Sequence, residues 1–192
     1  VDRCVALLGQ MGVPVLAVEG VEADDTIATV VRRMRAAHPD LEIRIVSRDK
    51  DLGQLVDGKT RLFDPQSDVT LGVEELFESK GVRPEQVVDM LALMGDPVDN
   101  VPGVKGIGIK TAAKLITEFG SLDGLLANLD KVKGKTGEAI AAQQGVLPLS
   151  RTLVALKDDV DVAFDLADAA VDPAKADAAA LLDAVHQLGF NR

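Results

Sequence analysis

Three short acidic clusters hold the residues with the clearest chemical potential. They are "EADD" (Glu22, Asp24, Asp25), "RDKD" (Asp49, Asp51) and "GDPVD" (Asp96, Asp99). Carboxylates that converge in a fold repel one another unless protons or hard cations neutralise them. Oxygen-only ligands favour Mg²⁺ or Mn²⁺, and two such ions about 4 Å apart suit phosphodiester hydrolysis. The clusters therefore indicate nuclease chemistry, and the alternative is that all of them are solvated surface acids.

The glycine-rich string "GVKGIGIKTAAKLI" follows the third cluster directly. Its glycines permit tight or positive-φ backbone and let a phosphate approach the amides at a helix N-terminus. Nearby lysines add positive charge, so the string has the pattern of a helix-hairpin-helix turn that binds phosphate without reading sequence. The candidate DNA-binding residues are Gly103, Lys105, Gly106, Gly108, Lys110 and Thr111. The alternative is a plain packing turn between two helices.

Composition limits the class of protein. The 192 residues are 47% hydrophobic, which is enough for a packed core, and the net charge of −10 argues at face value against nucleic-acid binding. Cys4 is the single cysteine, so an internal disulfide is excluded. No apolar run is long enough to span a membrane, and no basic-then-apolar leader opens the sequence, so we expect a soluble, cytoplasmic protein. The chain begins with Val within an amphipathic pattern, which suggests that an N-terminal part is missing.

Hydrophobic patterning predicts an α/β region that positions the first two clusters. The runs Val13–Val18 and Leu41–Val46 are predicted strands, each followed by an acidic cluster, and an amphipathic helix begins near Asp24. Ligands collect at the carboxyl ends of parallel strands, so the two clusters are expected to converge. Two short strands around "DPQSD" and a helix over Val73–Lys80 complete this region.

Beyond Pro84 the pattern becomes helical. Helices are predicted over about 85–94 and 110–119, Gly120 ends one helix and Ser121 caps the next. Val160–Phe164 is a further candidate strand, and a last helix is expected to turn Leu181, Leu182, Val185 and Leu188 inward. We therefore predict a metal-site region over 1–82 and a helical, DNA-binding region over 83–192 that returns to the core at its end.

The segments "VEGVEADDTIATV", "SRDKDLGQLV", "LALMGDPVDNVPGVKGIGIKTAAKLITEFGSLDGLL" and "FDLADAAVD" together resemble the 5′-nuclease (5′-3′ exonuclease, flap endonuclease-like) domain of bacterial DNA polymerase I. The resemblance covers nearly the whole chain. It implies an incomplete PIN/FEN-like parallel-sheet core followed by a helical domain with a helix-hairpin-helix motif. It also implies metal-coordinating roles for Glu22, Asp24, Asp49, Asp51 and Asp96, with Asp25 and Asp99 assisting.

The same resemblance implies partners and cofactors. The expected substrates are double-stranded DNA with a 5′ flap, a nick or an RNA primer, and the intact domain would use two Mg²⁺ or Mn²⁺ ions. K⁺ would lie at the hairpin against the carbonyls of Val101, Val104 and Ile107. A monomer is expected, fused to a polymerase domain in the full-length protein. Asp49 and Asp96 are the residues expected to matter most for metal-assisted hydrolysis.

Departures from the family pattern lead to further expectations. The family's two early aspartates and its basic arch do not occur in this sequence, and Val98 replaces a small polar residue. We therefore expect this chain alone to bind divalent metal weakly and cleave poorly or not at all, and the intact protein to be fully active. The alternatives are a non-catalytic, sequence-independent duplex-binding module and an interaction domain without nucleic acid.

Overall fold

A three-stranded mixed sheet forms in the first half of the chain. In the computed structural model, which describes residues 1–189, the strands are β1 (Ile43–Val46), β2 (Thr60–Asp64) and β3 (Val69–Leu71). β1 pairs in parallel with β2, and β2 pairs antiparallel with β3. Ile45 and Leu62 are partners in register and are both buried, so one face of the sheet covers the core. The predicted strands on either side of "DPQSD" are confirmed as a hairpin.

Helices make up most of the remaining structure. Within residues 1–189 the α-helices are α1 (Asp2–Gln10), α2 (Ala23–Ala37), α3 (Val73–Lys80), α4 (Val87–Met94), α5 (Ile109–Phe119), α6 (Leu122–Ala127), α7 (Gly134–Gln143), α8 (Leu147–Val154) and α9 (Ala178–Gln187). Short 3₁₀ helices cover Asp51–Leu55, Pro84–Gln86, Leu129–Lys131, Gln144–Val146 and Pro173–Lys175. The predicted end of α3 at Gly81 is confirmed, because this glycine is left-handed with φ of 77°. The predicted cap of α6 is also confirmed: Ser121 Oγ accepts a hydrogen bond from the Gly124 N–H.

Helix α4 joins the two halves of the molecule. It packs against α5 and α8 on one side and against the 3₁₀ helix Asp51–Leu55 on the other. Leu91 and Leu93 of α4 are almost completely buried, and one hydrophobic cluster runs from Val31 in α2 to Val154 in α8. Truncating such a leucine to alanine typically costs about 2–5 kcal/mol. The residues that follow α4 are therefore held firmly beside the turn that precedes the 3₁₀ helix.

The predicted strand Val13–Val18 is wrong. The segment pairs with no strand in the described part of the chain, and Val15 and Leu16 are 41% and 40% exposed. Pro14 has no N–H to donate to a neighbouring strand, which weakens pairing further. The first acidic cluster therefore follows an irregular segment, and the second follows the parallel strand β1.

The predicted strand Val160–Phe164 is also wrong. Its backbone carbonyls are satisfied by a side chain, since the Arg33 guanidinium donates to the carbonyls of Val160 at 2.8 Å and Val162 at 2.6 Å. The Val160 N–H donates to Thr29 Oγ1 at 3.1 Å. Helix α2 thus fixes this segment through its polar side chains, as a neighbouring strand would through its backbone.

Of the four residues predicted to face inward in the last helix, Leu181 and Val185 are half-buried. Helix α9 packs against α1, and the Asp177 N–H donates to the Gln10 carbonyl at 2.9 Å. Leu182 and Leu188 are nevertheless 56% and 43% exposed. The predicted helix reached Phe190, which lies outside the described residues. In the range 1–189, none of the helices combines the length and apolar character needed to cross a membrane.

Candidate metal and nucleic-acid site

Side chains from all three acidic clusters surround one cavity of about 490 Å³. Its acidic lining consists of Glu22, Asp24, Asp25, Asp51, Asp96 and Asp99. Asp49 is exposed beside the cavity, and its charge contributes to raising the pKa of both Asp24 and Asp51. The structure therefore brings the seven predicted metal-site residues to one region, with Asp49 at its edge.

The first cluster lies at the start of helix α2. Glu22 is the residue before the helix, and Asp24 and Asp25 occupy its first turn. Asp25 Oδ1 accepts a hydrogen bond from the Lys157 N–H at 2.8 Å, so it is tied to the segment that follows α8. Burial raises the pKa of Asp24, and the nearby charges of Asp49 and Glu22 raise it further. Asp24 is thus a partly buried carboxylate in a negative environment, which a cation would stabilise.

In the second cluster, Asp49 lies in the turn between β1 and the 3₁₀ helix, and Asp51 is the first residue of that helix. Ser47 Oγ accepts from the Asp49 N–H at 3.0 Å, and Asp49 Oδ1 accepts from the Asp51 N–H at 2.9 Å. Asp51 Oδ1 is buried and has no hydrogen-bond partner among residues 1–189. Burial raises the pKa of Asp51 to about 6. A buried carboxylate oxygen that lacks a donor is poised to accept a cation.

The third cluster lies in a tight loop after α4. Asp96 and Val101 exchange two backbone hydrogen bonds, of 3.0 and 2.7 Å, that close the loop. Both carboxylate oxygens of Asp96 have partners: Oδ1 accepts from the Val98 N–H at 2.8 Å, and Oδ2 lies 2.5 Å from Lys50 Nζ. The hydrogen bond from Lys50 lowers the pKa of Asp96 below its usual value. The cavity therefore holds two carboxylates with a raised pKa, Asp24 and Asp51, and one with a lowered pKa, Asp96.

The donor set fits a hard divalent cation. The lining carboxylates offer only oxygen, Asp51 Oδ1 lacks a partner within the described range, and the ammonium of Lys50 already neutralises part of the charge. Between residues 1 and 189, however, no three His, Cys, Asp or Glu side chains converge closely enough to hold a metal ion as they stand. Metal binding therefore requires side chains to rotate toward one point.

The three predicted hairpin glycines serve different purposes. A Cβ on Gly103 would lie 2.4 Å from both the Gly95 nitrogen and the Met94 carbonyl oxygen, so Gly103 permits a close backbone contact. Gly106 has φ of 86°, which disfavours any side chain. A Cβ on Gly108, in contrast, would meet no other atom of the described residues within 4 Å. Of the three, Gly106 and Gly108 leave open space for an approaching ligand.

Helix α5 begins directly after this loop, at Ile109. Its buried face carries Ala112, Ala113, Leu115 and Ile116. Lys105, Lys110, Thr111 and Lys114 are exposed. The first turn holds no acidic residue, and within the described chain no side chain caps it, so its free N–H groups and the lysines face solvent together. This combination is suited to a phosphate group.

Family models match both halves of the chain. The model described as 5′-3′ exonuclease, N-terminal resolvase-like domain, matches residues 1–84, and the model described as 5′-3′ exonuclease, C-terminal SAM fold, matches residues 82–177. The chain belongs to the 5′-3′ exonuclease family. The resemblance inferred from the sequence motifs is confirmed, as is the predicted order of an α/β region followed by a helical one.

Similar proteins agree with membership in the 5′-3′ exonuclease family. DNA polymerase I of Rhizobium leguminosarum is 44% identical over 83% of this chain, and the thermostable DNA polymerase I of Thermus thermophilus is 45% identical over 84%. The matched regions are 16% and 19% of those polymerases, so the chain spans under a fifth of their length. A bacteriophage T5 flap endonuclease complex with DNA and metal ions is 25% identical, with a TM-score of 0.64, over 90% of this chain and 56% of that one.

Two lysines of this 5′-3′ exonuclease family member line the cavity and were not among the predicted site residues. Lys50 could have been predicted from the sequence, because it lies between the candidate ligands Asp49 and Asp51. Lys157 belongs to the segment 152–157, which forms one wall of the cavity. The local sequence did not indicate this wall, because Lys157 contacts Asp25, a residue 132 positions away in the sequence.

Proposed function

We propose that this chain contributes the divalent-metal site and the duplex-binding hairpin of a structure-specific 5′-3′ exonuclease or flap endonuclease. The observation that carries the proposal is the gathering of six carboxylates around one cavity, one of them with a buried oxygen that accepts no hydrogen bond within residues 1–189. The cavity lies next to a glycine hairpin whose exposed lysines suit phosphate. Membership in the 5′-3′ exonuclease family supports joining these two features into one activity.

Asp24, Asp51 and Asp96 would be the principal ligands of two Mg²⁺ or Mn²⁺ ions, with Glu22 and Asp49 beside them and Asp25 and Asp99 in supporting positions. When bound, such ions neutralise the phosphodiester charge and stabilise the attacking and leaving oxygens of an in-line displacement. Asp25 Oδ1 accepts a hydrogen bond from the Lys157 N–H at 2.8 Å. Because this bond occupies one carboxylate oxygen, Asp25 suits a supporting position better than direct coordination of the metal. The T5 flap endonuclease complex with metal ions supports the metal dependence.

The hairpin would hold duplex DNA through its phosphates. Free amides at the start of α5 and the ammonium groups of Lys105 and Lys110 bind phosphate without contacting bases, so the grip is independent of sequence. A K⁺ ion would be held by the carbonyls of Val101, Val104 and Ile107. The first two already accept backbone hydrogen bonds at 3.0 Å, and each carbonyl oxygen keeps a second lone pair for an ion.

The substrates we propose are DNA duplexes with a 5′ flap, a nick or an RNA primer. The T5 flap endonuclease complex contains DNA, and the two bacterial relatives described above are DNA polymerases, which supports a role in replication and repair. We further propose that the full protein is a cytoplasmic monomer that joins this region to a polymerase. The net charge of −10 is compatible with these substrates because six of the 31 acidic residues line the cavity, where metal ions would neutralise them, and exposed lysines lie at the hairpin.

Cleavage of a labelled 5′-flap duplex by the intact protein in Mg²⁺ or Mn²⁺ tests the proposal, with duplex binding measured in Ca²⁺. Replacing a direct metal ligand is expected to cost more than the roughly 10- to 100-fold of a supporting residue, so Asp96→Asn should slow cleavage by about 100-fold or more. Duplex binding should change little. Asp40→Asn, an equivalent change in the exposed turn between α2 and β1, should leave both properties unchanged.

Normal cleavage by Asp96→Asn would refute the assignment of this carboxylate as a metal ligand. Duplex binding without cleavage by any form of the protein would instead favour the non-catalytic duplex-binding module. Cleavage reports on the cavity and duplex binding reports on the glycine hairpin. Because both are measured in the same samples, their roles can be separated.

A further inference from the structure

We propose that Lys50 is an internal cation that occupies the carboxylate cavity of the metal-free protein and must leave Asp96 before a divalent metal ion can bind there. This inference rests on the proposed metal site. It assigns Lys50 a positioning role: the residue sets the affinity of the site for metal and holds the carboxylates in place when metal is absent.

Lys50 is in direct contact with the candidate ligands. Its Nζ lies 2.5 Å from Asp96 Oδ2 and 3.8 Å from Asp51 Oδ1. The Asp96 side chain is 11% exposed and that of Asp51 is 22% exposed, so both charges are partly shielded from water. An ion pair of this length in a partly buried cavity is stronger than the exposed pairs elsewhere on the surface.

The remaining contacts of Asp96 leave Lys50 as the partner that can be displaced. Asp96 Oδ1 accepts from the Val98 N–H, and the loop that contains Val98 is closed by the backbone bonds between Asp96 and Val101. Oδ2 is therefore the oxygen that a metal ion would take. A metal at about 2.1 Å from Oδ2 would lie within about 4.6 Å of an ammonium at the 2.5 Å position, where two like charges repel strongly.

The backbone around Lys50 is fixed, so its side chain can leave without a movement of the loop. Ser47 Oγ holds the Asp49 N–H, and Asp49 Oδ1 holds the Asp51 N–H, on either side of Lys50. The side chain is 37% exposed and has four rotatable methylene groups. Rotation toward solvent would free Asp96 and leave Asp49 and Asp51 where they are.

Mn²⁺ titration by calorimetry tests this inference on the intact protein and two variants. Lys50→Met should bind Mn²⁺ about 10- to 100-fold more tightly than the parent, the range that corresponds to one charge-assisted hydrogen bond. In EDTA the same variant should have a Tm lowered by about 2–4 °C, because Asp96 loses its partner. Lys157→Met removes an equal charge from the cavity wall and is the matched control. Its Mn²⁺ affinity should rise by much less.

The thermal transition in EDTA shows whether Lys50→Met is folded, and a third variant separates the loss of the charge from the change of side chain. Lys50→Arg keeps the cation and should bind Mn²⁺ no more tightly than the parent. Equal Mn²⁺ affinity of the parent and Lys50→Met would overturn the inference and leave the metal site intact. Equal tightening in Lys50→Met and Lys157→Met would also overturn it, since general electrostatics would then explain the gain. If no form binds Mn²⁺, the metal site itself is wrong and the inference falls with it.

Discussion

Asp51→Asn is expected to stabilise the metal-free protein while it removes a proposed metal ligand. Burial raises the pKa of Asp51 from 3.8 to about 6, so the ionised carboxylate is less favourable in the folded state than in the unfolded chain. At about 1.36 kcal/mol per pKa unit, this difference corresponds to about 3 kcal/mol above pH 6. The side chain is 22% exposed, and screening by water reduces the value. We expect a gain of about 1–3 kcal/mol in the free energy of unfolding.

The size of the stabilisation by Asp51→Asn depends on pH. Because folding raises the pKa of Asp51, the folded protein binds this proton more tightly than the unfolded chain does. The resulting stabilisation is complete below about pH 4 and is lost as the pH rises through about 6. Asparagine has no proton to lose, so the advantage of the variant should be large at about pH 7.5 and should nearly vanish at about pH 4.

Urea unfolding followed by circular dichroism in EDTA measures this effect at both pH values. The exposed Asp40→Asn serves as the control and should behave as the parent does. Mn²⁺ titration of the same Asp51→Asn sample should show weaker binding than the parent. A variant that is less stable than the parent near pH 7.5, or equally stabilised at both pH values, would refute the assignment of Asp51 as a partly buried carboxylate with a raised pKa.

Three further outcomes are expected. Asp96→Asn should lower the free energy of unfolding by about 1–2 kcal/mol near neutral pH, because Lys50 loses its charged acceptor. Since folding lowers the pKa of Asp96, urea unfolding should show that this loss becomes smaller below about pH 4. Gly103→Ala should lower Tm by about 6 °C or more in a thermal scan, because its Cβ would lie 2.4 Å from backbone atoms. Gly145→Ala, whose Cβ would lie in open space, is the control and should change Tm little, and equal Tm values for the two variants would contradict the close contact at Gly103. Lys110→Ala should weaken duplex binding and lower the slope of log affinity against log salt by about 1, and an unchanged slope would argue against a phosphate contact.

Local sequence signals predicted the ends of α3 and α5, the start of α6 and the β-hairpin formed by β2 and β3, but not helices α7 and α8. Gly81 and Ser121 ended and capped helices as expected, because a left-handed glycine and a capping hydroxyl act within one turn of the chain. The acidic clusters were also recognisable, since residue type and spacing alone indicate oxygen ligands.

Features that depend on distant contacts were not predictable in this way. The runs Val13–Val18 and Val160–Phe164 have the composition of strands, but a strand also requires a neighbour that offers its backbone, and composition does not specify one. The contact between Lys50 and Asp96 exists because α4 packs against the 3₁₀ helix Asp51–Leu55, a long-range arrangement that neither local sequence contains.

The loop closed by Asp96 and Val101 has a consequence for where a strand would be cut. Its two reciprocal backbone bonds hold Asp96, a cavity carboxylate, beside Val101, the residue from which the glycine hairpin departs, and Asn100 adopts φ of 56° to complete the turn. In the proposed nuclease, this pairing sets the distance between the held duplex and the scissile phosphate. One residue inserted between 97 and 100 would enlarge the loop outside the pairing and displace Asp99, but the position of cleavage along the strand should stay the same.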